Sequence, residues 1–237
     1  MSDFTSLWPG GPRFCQAANQ ALGTDSILLA DFARVRGAAR GIDLGCGSGI
    51  LALLLLWREA RLRMTGLELD PAAAAIAREN LRENALDARA EIVEGDIRAV
   101  RAAFRAGSFD FAVANPPYFA CGSGGVSPDP ARAAARSEAS CTLGELCRAA
   151  AWLLPSGGRF YLVHRPERLS ELCCALAACG LEPKRLRPVA ATAGRAPSLI
   201  LLESRRGGKP GLRWESALCL RGESGTESEE LRRIYHR

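Results

Sequence analysis

The chain has 237 residues, a size that one hydrophobic core can serve, so a single domain with short extensions is expected. Apolar residues make up 48% and charged residues 24%, ordinary globular usage that excludes a disordered or fibrous chain. Unbroken apolar runs reach eight residues, as in Ile50 to Trp57, far short of the roughly 20 residues that cross a bilayer, and no basic-then-apolar signal opens the sequence, so a cytoplasmic protein without a membrane partner is expected.

Residues 1 to 24 carry Pro9, Gly10, Gly11 and Pro12 without periodicity and read as an N-terminal segment. Asp25 or Ser26 then caps a helix that runs to about Arg36, with Ile27, Leu28, Ala30 and Phe32 as its apolar surface. Strand-like runs and helical patterns alternate from there: Gly41 to Leu44, a helix near Ser48 to Arg58, Leu62 to Glu68, and a helix over Pro71 to Ala85. That helix opens on an Asp70 cap with Pro71 at its first position, and places Ile76 and Leu81 inward. Glu91 to Gly95, a short helix after Asp96, Phe109 to Ala114, a long loop, a helix near Leu143 to Leu154, Gly158 to His164 and a helix from Pro166 to Cys179 follow. The alternation predicts an α/β fold with a mostly parallel sheet and helices on both faces. Glu182 to Val189 and Ser198 to Glu203 lie too close for a crossover helix and predict an antiparallel final strand pair. The body is thus expected over residues 25 to 213, with a turn at 207 to 211 and a C-terminal tail over 214 to 237.

Nine cysteines, an odd number spread through helices and strands with no C-x-x-C pair, read as free thiols. His164 and His236 are the two imidazoles, too few to suggest a metal site of His and Cys. Net charge is +5 but uneven: residues 184 to 213 hold Lys184, Arg185, Arg187, Arg195, Arg205, Arg206, Lys209 and Arg213 against Glu203 alone, which makes that stretch +7 and the remainder −2. Such clustering is the footprint of a phosphate-backbone partner, and equally of a solvated face.

The segment Asp43 to Ile50, DLGCGSGI, follows a buried strand and opens a helix, where doubly wound sheets bind ligands. A dinucleotide loop would place a third glycine at position 50, which holds Ile50. Gly45-x-Gly47-x-Gly49, with Asp43 before it and Cys46 within it, fits S-adenosyl-L-methionine better. Glu68, about twenty residues on and followed by Leu69, ends the second strand as an acceptor fork for two ribose hydroxyls. Asp96 ends the third strand, where it can accept from the cofactor's adenine amine while Ile97 covers the ring; the plainer role for Asp96 is a helix cap.

Asn115-Pro116-Pro117-Tyr118 ends the fourth strand and is read as the catalytic motif. An exocyclic amine conjugated to a ring or carbonyl must become pyramidal to attack a methyl group, and acceptors aimed at its hydrogens favour that change. Asn115 offers a side-chain oxygen and Pro116 a backbone carbonyl, two prolines hold them ready, and Tyr118 can stack on a planar target. In-line displacement then needs positioning rather than a strong base.

With these residues in hand, the chain resembles the N-P-P-Y branch of the class I methyltransferases, which implies their Rossmann-like, seven-stranded sheet. The stretch Phe14 to Phe32 with GTDSILLADF, together with NPPYF, GGRFYLVHRPERL and GGKPGL, is similar to the bacterial transfer-RNA adenine-N6 methyltransferases over roughly residues 12 to 213. The resemblance implies a tRNA substrate methylated at an adenine beside the anticodon of a valine tRNA, places Gly23, Thr24 and Asp25 beside the cofactor's methionine end, and counts Asn115 among the cofactor-binding residues. The tail from Trp214 matches weakly, and Ser198 stands where many relatives have Asn. Two other readings stay open. A methyltransferase acting on glutamines of release factors uses the same tetrapeptide, although only about 40 residues precede the first core strand here, too few for the N-terminal helical bundle of those enzymes. A non-catalytic module that binds cofactor and RNA would keep the basic stretch.

Overall fold

A computed structural model of the protein describes residues 3–16, 23–116, 141–222 and 224–236. At its centre lie β3 (Arg40–Leu44), β4 (Arg63–Glu68), β5 (Ala90–Glu94), β6 (Phe111–Ala114), β7 (Arg159–His164), β8 (Leu181–Ala190) and β9 (Leu199–Arg206). Their order across the sheet is β8-β9-β7-β6-β3-β4-β5, with β9 antiparallel to both neighbours and the other pairings parallel. The expected seven strands and antiparallel last pair are present. Two short strands, β10 (Arg213–Trp214) and β11 (Leu218–Cys219), pair parallel with β8 and extend its edge.

Both faces of the sheet are buried, and the two-residue side-chain period divides the core. Phe111, Val113, Tyr161, Val163, Leu199 and Leu201 face one side; Ala112, Ala114, Phe160, Leu162, Ile200 and Leu202 face the other. Helices α1 (Thr24–Phe32), α2 (Ile50–Arg58) and α3 (Pro71–Glu83) cover the first side. The short α4 (Val100–Ala103), with α5 (Leu143–Leu153) and α6 (Leu169–Ala178), covers the second. Helix α5 opens on a capping box, Thr142 accepting from the Glu145 N–H and Glu145 accepting from the Thr142 N–H, which contributes about 1 kcal/mol to helix stability.

Three local expectations change. Helix α1 begins at Thr24 with Gly23 as its N-cap, so Asp25 and Ser26 lie inside the first turn instead of capping it. The helix stops at Phe32, where Ala33 turns extended. In α3 the inward face is Ala73, Ala74, Ala77, Asn80 and Leu81, with Ile76 half-buried; small side chains let the helix lie close to the glycine turn, where Ala77 Cβ stands 3.1 Å from an ideal Cβ built on Gly49.

The flanking segments join this body. At the N-terminus β1 (Thr5–Ser6) and β2 (Arg13–Phe14) form a small antiparallel pair, and Phe14 enters the core. The C-terminal helix α7 (Glu229–Ile234) sends Leu231 and Ile234 into the same cluster, while Trp8 stacks on His236 with ring centroids 4.4 Å apart. The eight described cysteines are free thiols.

Candidate active site

The chain runs from β3 outward through β4 to β5, then returns to β6 on the other side of β3. That reversal opens a crevice beyond the carboxyl ends of β3 and β6, the position where open α/β sheets take ligands. Asp43 pairs in register with Val113, so the turn at Gly45 and the Asn115-Pro116 step leave the sheet side by side at the strand spacing of about 4.8 Å.

The turn is held from below. The N–H groups of Gly45 and Cys46 both donate to the Leu67 carbonyl, at 2.9 and 3.1 Å, and Gly49 adopts φ +82° as the N-cap of α2. Gly47 donates to Glu68 Oε2 at 2.7 Å while Glu68 Oε1 accepts from the Asp70 N–H at 2.9 Å. Glu68 is thus anchored by one backbone donor on each oxygen, which leaves further lone pairs on both. Cys46 turns its side chain inward, 5% exposed, with Sγ 2.7 Å from an ideal Cβ on Gly66, so only its backbone borders the crevice. Burial and the nearby carboxylates push that thiol well above its ordinary pKa and keep it protonated.

Asp43, 1% exposed, lies under the turn with neither carboxylate oxygen hydrogen-bonded; the Ala52 N–H favours its charge but falls outside hydrogen-bond geometry. Desolvation first, and then the Glu68 charge, raise its pKa to about 8. A buried carboxylate without a donor is costly, and such orphans mark places where a ligand completes the bonding.

Asp70 caps α3 as expected, accepting from the Ala72 N–H at 2.9 Å. Asp96 takes the capping role: its Oδ1 accepts from the Arg98 N–H at 2.7 Å, and its Oδ2 pairs with Arg98 Nη2 at 2.6 Å. Those bonds, the Arg98 side chain foremost, hold its pKa below the usual carboxylate value. Ile97 reaches within 3.7 Å of an ideal Cβ on Gly45, and Leu69 is 45% exposed beyond the second strand, so apolar surface flanks the turn.

On the opposite wall, Asn115 Nδ2 donates to Ser26 Oγ at 2.9 Å, and Thr24 Oγ1 accepts from Tyr235 OH at 3.2 Å. Asp25 stands half-buried in the same turn of α1. Pro117 and Tyr118 lie outside the described residues, as does the loop up to residue 140. Sequence reasoning gives Asn80 no role and Ser26 only that of a possible helix cap. Asn80 accepts from the Cys15 N–H and donates to Ser48 O, tying the N-terminal segment to the glycine turn; a buried Asn on an Ala-rich helix face is the signal for it. Nothing in residue spacing points to the pairing of Ser26 with Asn115.

A parallel sheet with an antiparallel β9, a glycine turn after its central strand and an Asn-Pro step beside that turn define the class I methyltransferase fold. The chain belongs to the methyltransferase small domain family, whose model matches residues 17–171. It is 37% identical over 89% of its length to a tRNA1(Val) (adenine(37)-N6)-methyltransferase of Tolumonas auensis, spanning 86% of that protein. A protein of the same name from Aeromonas hydrophila is 36% identical over 78% of this chain and 77% of its own length. Among solved structures, a predicted O-methyltransferase of Agrobacterium tumefaciens shares the fold with a TM-score of 0.74 at 22% identity, covering 90% of this chain and 96% of that one.

Proposed function

We propose that the protein transfers a methyl group from S-adenosyl-L-methionine to the N6 amine of an adenine in tRNA, and that the adenine next to the anticodon of valine tRNA is its target. The observation that carries the reading is the adjacency of Asn115 to the glycine turn, with the amide NH₂ committed to Ser26. In the proposed reaction Asn115 Oδ1 supplies the acceptor that an aromatic amine requires. The similarity to proteins named for this activity supports the choice of substrate.

The crevice fits the cofactor on its own chemistry. Asp43 is an orphaned acceptor under the turn, Glu68 keeps lone pairs for two hydroxyls, and Ile97 and Leu69 supply apolar surface for a ring. Thr24, Asp25 and the backbone of Gly45, Cys46, Gly47 and Gly49 would border the remainder, and Asp96, already engaged by Arg98, would meet an amine with its outer lone pairs. When bound, the cofactor supplies an electrophilic methyl on a sulfonium. The chain's residues orient the acceptor: Asn115 and the Pro116 carbonyl receive the two amine hydrogens, which localises the nitrogen lone pair. Tyr118, read from the sequence motif, would stack on the planar base. The proton surplus after transfer leaves to solvent, so no basic side chain is needed. An adenine in a single-stranded loop is cheaper to expose than one in a duplex, which agrees with an anticodon-loop target.

The test is to incubate the protein with methyl-labelled cofactor and tRNA lacking the modification, digest the RNA and identify the labelled nucleoside. N6-methyladenosine from one position of valine tRNA is expected. Label in release-factor protein and none in RNA would replace this reading with the glutamine one; no label anywhere would return the chain to a binding role.

A further inference from the structure

Of the eight cations in the basic stretch of residues 184 to 213, Arg195 stands exposed in the turn between β8 and β9, and the fold divides the other seven into two sets. Arg185 is buried, bonded to Glu203 at 2.5 Å and to Glu215 at 2.9 Å, and lies 4.2 Å from the Phe32 ring centroid. Arg187 pairs with Glu230 at 2.8 Å and Arg213 with Glu215 at 2.6 Å. These three cations tie the edge strand to the tail and to α1, and each has a carboxylate partner within the molecule.

Lys184, Arg205, Arg206 and Lys209 differ. None has a carboxylate partner among the described residues; Lys184 Nζ donates to the Lys209 carbonyl at 2.9 Å and Arg205 Nε to the Gly157 carbonyl at 3.2 Å. The four converge on an open concavity of about 440 Å³, lined also by Ser156, Gly157, Gly207 and Gly208. Glu182 stands opposite Arg205 across the β8–β9 ladder without an ion pair, lowering the local charge by one without neutralising a particular cation. The concavity sits where β7 begins and β9 ends, and β7 has six residues, so it lies about 20 Å from the end of the sheet that carries Asn115.

We infer that this cradle of Lys184, Arg205, Arg206 and Lys209 docks the phosphodiester backbone of the RNA substrate, holding a part of it remote from the base being methylated. The inference rests on the tRNA reading above. Folding brings four cations to one concave surface with Glu182 as a partial counterweight and no ion pair among the described residues, at a cost in self-repulsion that a polyanion would relieve. Small residues on its floor admit a bulky phosphate, and a hold on the backbone contributes affinity and orientation while reading no sequence.

The test measures binding and methylation of unmodified tRNA across a salt series with the protein carrying Arg206→Ala and Lys209→Ala, two side chains outside the core. A control pair, Arg61→Ala with Arg82→Ala, removes the same charge from exposed positions elsewhere. The first pair is expected to weaken tRNA affinity about tenfold at low salt and to flatten the slope of log affinity on log salt by about 1.5, as loss of two phosphate contacts requires. Its kcat at saturating tRNA, its cofactor affinity and its melting temperature stay at the wild-type values. Wild-type affinity and slope in the Arg206/Lys209 variant, or an equal loss in the control pair, would overturn the inference and leave the tRNA reading standing. A wild-type protein that neither binds nor methylates tRNA would overturn the tRNA reading, and the inference with it.

Discussion

Asn115 and Ser26, 89 residues apart, meet through a 2.9 Å hydrogen bond from the asparagine amide to the serine hydroxyl. The bond crosses from the end of β6 to the first turn of α1 and, under the proposed function, would set which end of the amide meets the acceptor amine. Ser26 is 6% exposed, so water does not readily replace it.

Loss of that bond should misorient the amide part of the time. Ser26→Ala is expected to lower kcat by about three- to tenfold, the equivalent of a neutral hydrogen bond worth about 0.5–1.5 kcal/mol, with KM for cofactor unchanged. Ser26→Thr keeps the hydroxyl and should recover most of the rate. Steady-state kinetics on the two variants checks this; equal loss in both would point to packing instead.

Asp43 gives the protein without cofactor a pH dependence of definite sign. Its folded pKa is raised to about 8 from an ordinary 3.8, so between those values the folded state holds a proton that the unfolded chain releases. Stability therefore falls as pH rises toward 8. His164, whose pKa burial lowers, acts in the opposite sense only below its ordinary 6.5, so from pH 6.5 to 8 Asp43 sets the trend, with the buried thiols of Cys46, Cys141 and Cys147 adding a small contribution of the same sign near pH 8. Thermal melts should show a falling melting temperature across that window. Asp43→Asn should level the slope and raise the melting temperature at pH 8 by at least about 2–4 °C, the shift that 1 kcal/mol produces in a chain of this size. An unchanged slope in the variant would assign the trend to another group.

Gly49 combines φ +82° with a neighbour 3.1 Å from where a Cβ would stand. Gly49→Ala is expected to cost about 1–2 kcal/mol from the left-handed backbone alone, and more if α3 must move away. Because Ala77 is the obstacle, the displaced helix would carry Asn80 away from Ser48 and loosen the turn. Denaturant unfolding together with cofactor titration should show both stability and affinity reduced; a fall in stability with intact affinity would separate the turn from α3.

Much of this fold was legible because its signals are local. Buried parallel strands appear as short apolar runs, Asp70-Pro71 marks a helix start, and the glycine turn and the Asn-Pro step each sit within a few residues of a strand end. What stayed hidden depends on distant partners. The two-residue strands β10 and β11 are too short to show a period, so the tail's place beside β8 could not be read. The division of the basic stretch follows from which side chains meet Glu203, Glu215 and Glu230, two of them beyond the stretch itself. The first turn of α1 was misread for a related reason: a buried serine beside an asparagine looks, in sequence, like a cap.

The most direct measurement compares methyl transfer and cofactor binding in Asn115→Ala. Single-turnover transfer to tRNA should fall by at least about 100-fold, the scale for removing one preorganised polar group at a reacting centre, while the cofactor Kd by titration calorimetry stays within about threefold of wild type. Transfer at the wild-type rate with Asn115 removed would contradict the account.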